Sequence, residues 1–456
     1  MRKIFILCFT FFIVLKSYSQ HERPYDTQAL EEDTTESGNR AMKSPFEGTP
    51  FPMADWCGDP VIGQHLGEAP DFFKKVLEKA SKKTWTKWNK TGIKIYGWLD
   101  GSMNVSTSKY TNSPMSYIIV PNRPVLDQFI LRVERQPNTE QTKHVDWGFL
   151  VDNIYGIDYR YTISKGYVSD QLLKRNNLYG YDPTQVYALL YVPQVAQGML
   201  MKVGRFMSPA DIEAQWAPDN YLFSHSIMFT VDPYTFTGIN SAIRLTKQLQ
   251  IEFGLHAGND MSPFCNSAQL NGLGMIRWVS KNNKDAIYGG LNSIGKGQYK
   301  NGHDDLQVLV WVWGHKFNKR LHMMTESYYM WEYNAALGGT AIYGPLRYGQ
   351  GGGQGPIIPG ISQTFAALNY FQILCSPKDY ISIRNEGVND ATGSRTGFAT
   401  WYTTHTIGWS HHFSDLIMIR PEVRYEHAWN NDNVIPYDNG TKNYQLTAAM
   451  DLVVRF

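Results

Sequence analysis

Charged side chains recur at every second position near the C-terminal end of the sequence. From Ile417 to Glu426, basic and acidic residues alternate with apolar ones. Successive side chains of a strand point to opposite faces, so the charges share one face. Each unpaired ion in an apolar core would cost several kcal/mol. The pattern predicts a strand with one face toward water and the other toward an apolar medium.

Similar alternation occurs elsewhere in the chain. Phe129, Leu131 and Val133 oppose charged neighbours, and so do Ile381 and Ile383. Rings of charge around a passage determine which ions cross it. If these strands enclose water, their charged faces line the enclosed space. The residues predicted to line it are Arg132, Glu134, Arg384, Glu386, Arg420, Glu422, Arg424 and Glu426.

The segment from Met207 to Thr235 is the longest stretch without two-residue alternation in this part of the chain. It carries the ionisable residues Asp211, Glu213 and His225. Two placements are open. The segment either folds inward and narrows the enclosed space, where its charges would face the basic wall, or extends outward as a surface loop.

Enzyme-like patterns are weak. Ser224-His225-Ser226 places an imidazole beside two hydroxyls. On a strand, neighbouring side chains point to opposite faces, so neither serine would be presented to that imidazole. The 12 histidines contain no H-E-x-x-H pattern. The sequence therefore predicts no catalytic residue, no metal ligand and no cofactor.

Connection lengths separate a membrane barrel from a soluble sandwich, because both satisfy the alternation of a single strand. Short turns alternate with long segments, as in an up-and-down barrel. Counting strands on this scheme gives about 16. The predicted fold is all-β, a transmembrane up-and-down antiparallel β-barrel. The short turns are 195–198, 247–249, 281–285, 317–320, 376–379 and 411–415, and the long segments are 106–127, 165–183, 207–235, 334–359 and 428–443.

The last segment, Tyr444 to Phe456, has the length and alternation of a membrane-spanning strand. Such strands cross the bilayer in roughly 9 to 11 residues with a period of two. The segment stops on an aromatic residue. It is predicted to be the strand that closes the barrel.

The N-terminal part differs from the rest. Residues 1–19 carry Arg2 and Lys3, an apolar run and a small-x-small ending, which is typical of a secretory signal peptide. Within residues 20–90, residues 20–43 are predicted to lack a fixed structure, residues 49–60 to be extended and rich in turns, and one short helix to lie between Pro70 and Lys83. This segment is interpreted as a plug, a periplasmic cap or a solvated lead-in. Residues 91–456 are predicted to form the barrel.

Composition limits the possible partners. The formal net charge is +2, and no basic run is interleaved with aromatic residues, so no nucleic-acid partner is expected. Aromatic residues make up 14% of the chain, as aromatic girdles at membrane interfaces would require. Apart from Cys8, the cysteines are Cys57, Cys265 and Cys375, which allow one disulfide at most.

An ordered set of short segments is similar to the OmpL-like β-barrel porin family of bacterial outer membranes. The resemblance covers most of the chain from about residue 49. Arg205 and Cys57 depart from the family pattern. The segments are T-P-F-P-M-A-D-W-C-G-D-P-V-I-G (49–63), G-I-K-I-Y-G-W-L-D-G (92–101), V-G-R-F (203–206), F-S-H-S-I-M-F (223–229), T-F-T-G (235–238) and R-P-E-V-R-Y-E (420–426).

This resemblance implies a porin-like channel. The predicted function is passive diffusion of ions and small hydrophilic solutes across the outer membrane of a Gram-negative bacterium. The expected partners are the lipid bilayer, lipopolysaccharide and the solutes, with a homo-oligomer left open. The alternatives are a structural or complex-forming barrel, an outer-membrane hydrolase that uses His225, and a secreted soluble sandwich.

Overall fold

The computed structural model describes most of the chain from residue 81 onward. The predicted signal peptide and most of residues 20–90, Cys57 included, lie outside the described residues. The described residues are 41–42, 45, 61–64, 76, 78–79, 81–115, 117–169, 178–209, 211–338, 355–429 and 435–456.

Sixteen antiparallel strands form one closed barrel, in which each strand pairs with its neighbours in sequence and the first pairs with the last. The prediction of about 16 strands and an up-and-down barrel is confirmed. The strands are β1 (Ile93–Ser106), β2 (Val125–Arg135), β3 (Asp146–Gly156), β4 (Gly180–Val192), β5 (Met199–Met207), β6 (Thr235–Arg244), β7 (Leu249–Asn259), β8 (Asn271–Val279), β9 (Asp285–Ile294), β10 (Gln307–Lys316), β11 (Leu321–Tyr333), β12 (Ile361–Ser376), β13 (Asp379–Asp390), β14 (Thr400–Ser414), β15 (Ile417–Trp429) and β16 (Tyr444–Arg455).

Burial alternates along the strands as the sequence pattern predicts. In β15, Arg424 is buried inside the barrel, whereas its neighbours Val423 and Tyr425 are exposed on the outer face. In β16, Leu446 and Met450 are exposed on the outer face. An apolar exterior is what a bilayer requires, because lipid cannot satisfy polar groups.

The seam between β1 and β16 closes the barrel. Beyond the paired strands, the backbone N–H groups of Gly97 and Phe456 each donate to the other residue's carbonyl oxygen, at 3.0 and 2.9 Å. The rings of Phe456 and Phe129 stack with centroids 6.0 Å apart. A Cβ at Gly97 would lie 1.9 Å from the carbonyl oxygen of Ile130, so the seam needs glycine there. The predicted role of the last strand is confirmed.

The two ends of the barrel differ in their connections. We call the end with short connections the turn rim and the other end the loop rim. The connection 136–145 is longer than the other turns at its rim. The turn rim carries 136–145, 193–198, 245–248, 280–284, 317–320, 377–378 and 415–416, and the loop rim carries 107–124, 157–179, 208–234, 260–270, 295–306, 334–360, 391–399 and 430–443.

Helical structure is short. Helix α1 (Lys82–Asn89) leads into β1, and its N-cap Ser81 accepts a hydrogen bond from the Thr84 backbone at 3.3 Å. The helix predicted from Pro70 to Lys83 falls mainly on residues outside the described ones. Helix α2 (Ile227–Val231) lies within the connection 208–234. No helix in the described part of the chain is long and apolar enough to cross a membrane.

Part of the N-terminal segment contacts the inner wall near the turn rim. Ile62 is fully buried, its N–H donates to Gln250 Oε1 at 3.2 Å, and its carbonyl accepts from Arg244 Nη1 at 3.0 Å. The Met42 N–H donates to the carbonyl of Lys247 at 2.8 Å. These contacts position two short pieces of the segment. Its role as a plug or a cap stays a prediction.

Candidate functional site

The connection between β5 and β6, residues 208–234, lies against the inward face of the barrel wall, and we call it the lumen loop. Residue 210 is outside the described part. The described side chains of the loop are nearly all buried, and their partners come from strands far away in sequence. Of the two placements considered for this segment, the contacts correspond to the inward one.

The centre of the contact is an ion pair between loop and wall. Arg384 of β13 places Nη1 2.5 Å from Glu213 Oε1. The same Nη1 donates to the carbonyl oxygen of Ser224 at 2.5 Å, and Tyr370 donates to Glu213 at 2.5 Å. The other oxygen of Glu213 accepts from the N–H and hydroxyl of Ser226 at 2.8 and 2.6 Å. Glu213 therefore has a partner for each oxygen, as a buried carboxylate needs.

Wall carboxylates accept hydrogen bonds from the loop backbone. Glu422 accepts from the N–H groups of Phe223 and Ser224, both at 3.0 Å. Glu386 accepts from the Met228 N–H at 2.6 Å. These backbone donors have no partner within a ladder, so the carboxylates satisfy them. Glu326 of β11 does the same for Ile212 at 2.8 Å.

Wall arginines bind the loop's carbonyl oxygens. Arg420 donates to Ala217 and Asn220, both at 2.8 Å, and pairs with Asp451 of β16. Arg424 donates to the carbonyl of His225 and pairs with Glu426 at 2.8 Å. The four charged residues on the inward face of β15 are Arg420, Glu422, Arg424 and Glu426. The first three of them hydrogen-bond the backbone of the lumen loop.

The sequence pattern predicted that this charged face of β15 meets water. All four of its charged side chains are instead buried. Burying an unpaired ion is costly, and here each charged side chain has an ion-pair or hydrogen-bond partner. The lumen loop supplies backbone partners that a strand-by-strand reading could not include.

Arg132 and Glu134 form a separate group on β2. Arg132 binds Asp152 of β3 through two hydrogen bonds, of 2.6 and 2.7 Å, and its side chain is 14% exposed. Its guanidinium lies 5.6 Å from the ring centroid of Trp216 in the lumen loop. Glu134 accepts from the Tyr96 hydroxyl at 2.8 Å. These residues face inward as predicted, and the pore-lining role of the whole set stays a prediction.

The three ionisable groups predicted in the loop differ in how the structure shifts their pKa values. Burial raises the pKa of Asp211 to about 6. Burial lowers the pKa of His225 to about 4, so this imidazole is neutral at pH 7. Burial also acts to raise the pKa of Glu213, but Arg384 and neighbouring donors outweigh it and hold the pKa below its usual value. Of these three groups, Glu213 is therefore the one that carries a negative charge, and Arg384 balances it.

The serine–histidine pattern does not form a catalytic arrangement. Residues 224–226 lie in the lumen loop rather than on a strand, so the sequence argument from opposite strand faces does not apply. His225 Nε2 is instead 2.8 Å from the carbonyl oxygen of Ala214, and its ring stacks on Tyr117 with centroids 3.6 Å apart. Ser224 and Ser226 bind Arg384 and Glu213. Within the described ranges, no group of three His, Cys, Asp or Glu side chains could hold a metal ion.

Two aromatic residues of this site are not among the residues predicted from the sequence. The hydroxyl of Tyr370 in β12 accepts from Arg384 and donates to Glu213. Tyr117, in the connection between β1 and β2, stacks on His225. Tyr370 lies on the inward face of an alternating strand, which could have identified it. Tyr117 follows from no periodic pattern.

Comparison with known proteins bears on this architecture. A family model described as "Putative beta-barrel porin-2, OmpL-like" matches residues 92–456, which is most of the chain. The chain belongs to this family. It is a porin, and the family and fold are those of a non-enzymatic channel of the bacterial outer membrane. The family resemblance stated from the sequence is confirmed.

Several solved structures are similar to this porin, and the first of them shares its fold. The anion-selective porin from Comamonas acidovorans is 8% identical, with a TM-score of 0.52 over 80% of this chain and 99% of its own. The outer membrane channel DcaP of Acinetobacter baumannii is 10% identical, with a TM-score of 0.46 over 80% of this chain and 98% of its own. OprB of Pseudomonas putida is 12% identical, with a TM-score of 0.47 over 82% of this chain and 97% of its own. A search of curated proteins finds no match.

Proposed function

We propose that this porin passes ions and small hydrophilic solutes by passive diffusion, through a lumen narrowed by the lumen loop. The observation that carries the proposal is the closed barrel with an apolar exterior and a charged interior that holds the loop. A barrel of this strand number encloses a space wide enough for water. The loop reduces that space to a narrower passage along the wall.

The proposal includes orientation and selectivity. Short connections face the periplasm in outer-membrane barrels, so the turn rim is periplasmic and the loop rim extracellular. Charge at a narrow, weakly screened passage controls ion choice. Arg132 is the partly exposed member of the predicted pore-lining set that also lies near the loop. We assign it to the passage, whereas Glu213 and Arg384 hold the loop.

Solute uptake into vesicles tests this function. Proteoliposomes containing the purified, folded barrel should swell in isotonic solutions of small sugars and amino acids, and swelling should slow steeply as solute size increases. Heat-unfolded protein is the control. If vesicles with folded barrel swell no faster than empty ones, the protein is a structural barrel instead.

Two finer partner predictions belong to the proposal. Lipopolysaccharide is the expected neighbour of the outer face at the loop rim, and the barrel is expected to associate with copies of itself. Lipopolysaccharide that copurifies from intact outer membranes would support the first. A particle mass in detergent that corresponds to several chains would support the second, and a single-chain mass would contradict it.

A further inference from the structure

Two pairs of neighbouring strands carry the same two short motifs. Residues 284–287 and 378–381 both read K-D-x-I and begin β9 and β13. Residues 313–317 and 409–413 both read W-x-H-x-F and lie where β10 and β14 end. In both cases the K-D-x-I motif of one strand pairs with the W-x-H-x-F motif of the next strand. The repeat is therefore present in the structure as well as in the sequence.

In the first copy, Asp285 is directly opposite His315 in the strand register. Asp285 Oδ1 lies 2.7 Å from His315 Nδ1 and accepts from Trp313 Nε1 at 3.3 Å. The ring of Phe317 packs edge-on against the imidazole with centroids 4.7 Å apart. One carboxylate oxygen thus fixes an imidazole and an indole together.

The second copy repeats this geometry. Asp379 is opposite His411, with Asp379 Oδ1 2.6 Å from His411 Nδ1. The same oxygen accepts from Trp409 Nε1 at 3.0 Å, and Phe413 packs edge-on at 4.6 Å. We call the two copies the twin sites.

Both twin sites lie on the outer face of the barrel at the turn rim. The imidazoles of His315 and His411 are 26% and 24% exposed, while the flanking tryptophans are more exposed. Tryptophan on the outer face of a barrel sits at the boundary between lipid tails and headgroups. The sites therefore face the headgroup layer of the leaflet on the turn side.

The imidazoles of the twin sites are oriented so that each can donate a hydrogen bond to an anion. Because Nδ1 is held by a carboxylate, Nε2 is left on the far side of the ring. Neither Nε2 has a hydrogen-bond partner among the described residues. A protonated imidazole can donate Nε2–H to an anionic oxygen. Lys284 and Lys378 directly precede the aspartates, so each site also has an ammonium group next to it in sequence.

We propose that each twin site binds the phosphate of one glycerophospholipid from the leaflet at the turn rim. The imidazole contacts the phosphate oxygens, and the Trp and Phe rings contact the upper part of the acyl chains. The barrel then holds two lipids at fixed positions, with the two strands β11 and β12 between them. This inference rests on the placement of the barrel in a bilayer and not on conduction.

The same barrel contains a natural comparison site. His405 lies on the outer face of β14, toward the loop rim, with Nδ1 2.8 Å from Asn385 Oδ1. Its partner is a neutral amide rather than a carboxylate, and the residue before that partner, Arg384, is buried in its ion pair with Glu213. If the aromatic girdle alone bound the lipids, removing the imidazole of His405 would have the same effect as removing those of the twin sites. A phosphate site predicts an effect at the twin sites alone.

Native mass spectrometry of the detergent-purified barrel with added dioleoyl phosphatidylglycerol tests the proposal. The parent should retain two phospholipids per chain and should not retain a phosphate-free galactolipid with the same acyl chains. His315→Gln with His411→Gln should weaken phospholipid binding at least tenfold, and His405→Gln should leave it unchanged. Equal binding of the galactolipid, or retention of both phospholipids by the double variant, would overturn the proposal.

Two further measurements keep the result interpretable. Each single variant should lose one lipid, and this serves as the test if the double variant does not fold, as judged by heat-modifiable migration. Asp285→Asn with Asp379→Asn should also weaken binding, because the imidazoles lose the carboxylates that orient them. A barrel that binds two lipids but does not conduct would contradict the proposed function and leave this inference intact.

Discussion

Many buried charges in this porin have specific partners, and several of those partners belong to the lumen loop. Arg384 joins Glu213 and the Ser224 carbonyl, so a single wall side chain holds two points of the loop. Removing one member of a buried pair costs about 3 to 5 kcal/mol, because the other ion is left without a counter-charge. The attachment of the loop therefore depends strongly on this residue.

Arg384→Met should detach part of the lumen loop and raise the mean single-channel conductance, with added current noise. The free energy of unfolding in detergent should fall by about 3 to 5 kcal/mol. Adding Glu213→Gln should recover part of that loss, because the unpaired charge is gone. Arg320→Met, at an exposed turn, is the matched control. A double variant as unstable as Arg384→Met alone would show that the ion pair is not the anchor.

The pKa of Asp211 gives the loop a pH dependence. Its pKa in the folded protein is raised to about 6, so the protonated form is favoured there, and side-chain hydrogen bonds link it to Asp232 and Glu326. For a raised pKa, the stabilising contribution is complete below about pH 4 and is lost as pH rises through about 6. The loop should therefore be held less tightly at pH 7 than at pH 4 by this group.

Asp211→Asn mimics the protonated acid and should remove this contribution. Between pH 4 and pH 7, the unfolding free energy of the parent should fall relative to that of Asp211→Asn, by on the order of 3 kcal/mol. Comparison of the two proteins cancels the opposite effects of Glu213 and His225. Parallel pH profiles for the two proteins would contradict the assignment.

Strands could be predicted from this sequence because their signal is local. In β15 and β16 the two-residue alternation identifies both the strand and its outward face, and the structure agrees. The lumen loop carries no such signal. Its placement depends on partners such as Glu213 and Arg384, which are 171 residues apart in sequence. The local sequence pattern therefore could not decide whether the loop folds inward or extends outward.

A further prediction concerns the seam where β16 closes the barrel. Deleting Phe456 removes two backbone hydrogen bonds to Gly97 and the stacking with Phe129 at the seam. The fraction of protein that migrates as a folded, heat-modifiable band should drop, and periplasmic degradation should rise. Phe264→Ala, on a side chain that is 96% exposed, is the control. A truncated chain that inserts and migrates like the parent would show that the seam does not need Phe456.

At the scale of the whole molecule, the sequence predicted the closed barrel but not what lies inside it. Alternation shows that one face of each strand is polar. It does not show whether water or another part of the chain covers that face. Here the lumen loop covers the charges of β13 and β15, and a described part of the N-terminal segment, Ile62, covers wall residues near the turn rim. This covering of the inner wall is the basis for the proposal that the passage is narrower than in an open barrel of 16 strands.

Single-channel recording in planar bilayers tests the central claim most directly. Purified protein that shows the folded, heat-modifiable band should insert and give discrete current steps that increase linearly with voltage, with larger steps for Arg384→Met. Folded protein that inserts but gives no steps, in the parent and in Arg384→Met alike, would contradict the account of this chain as a passive channel.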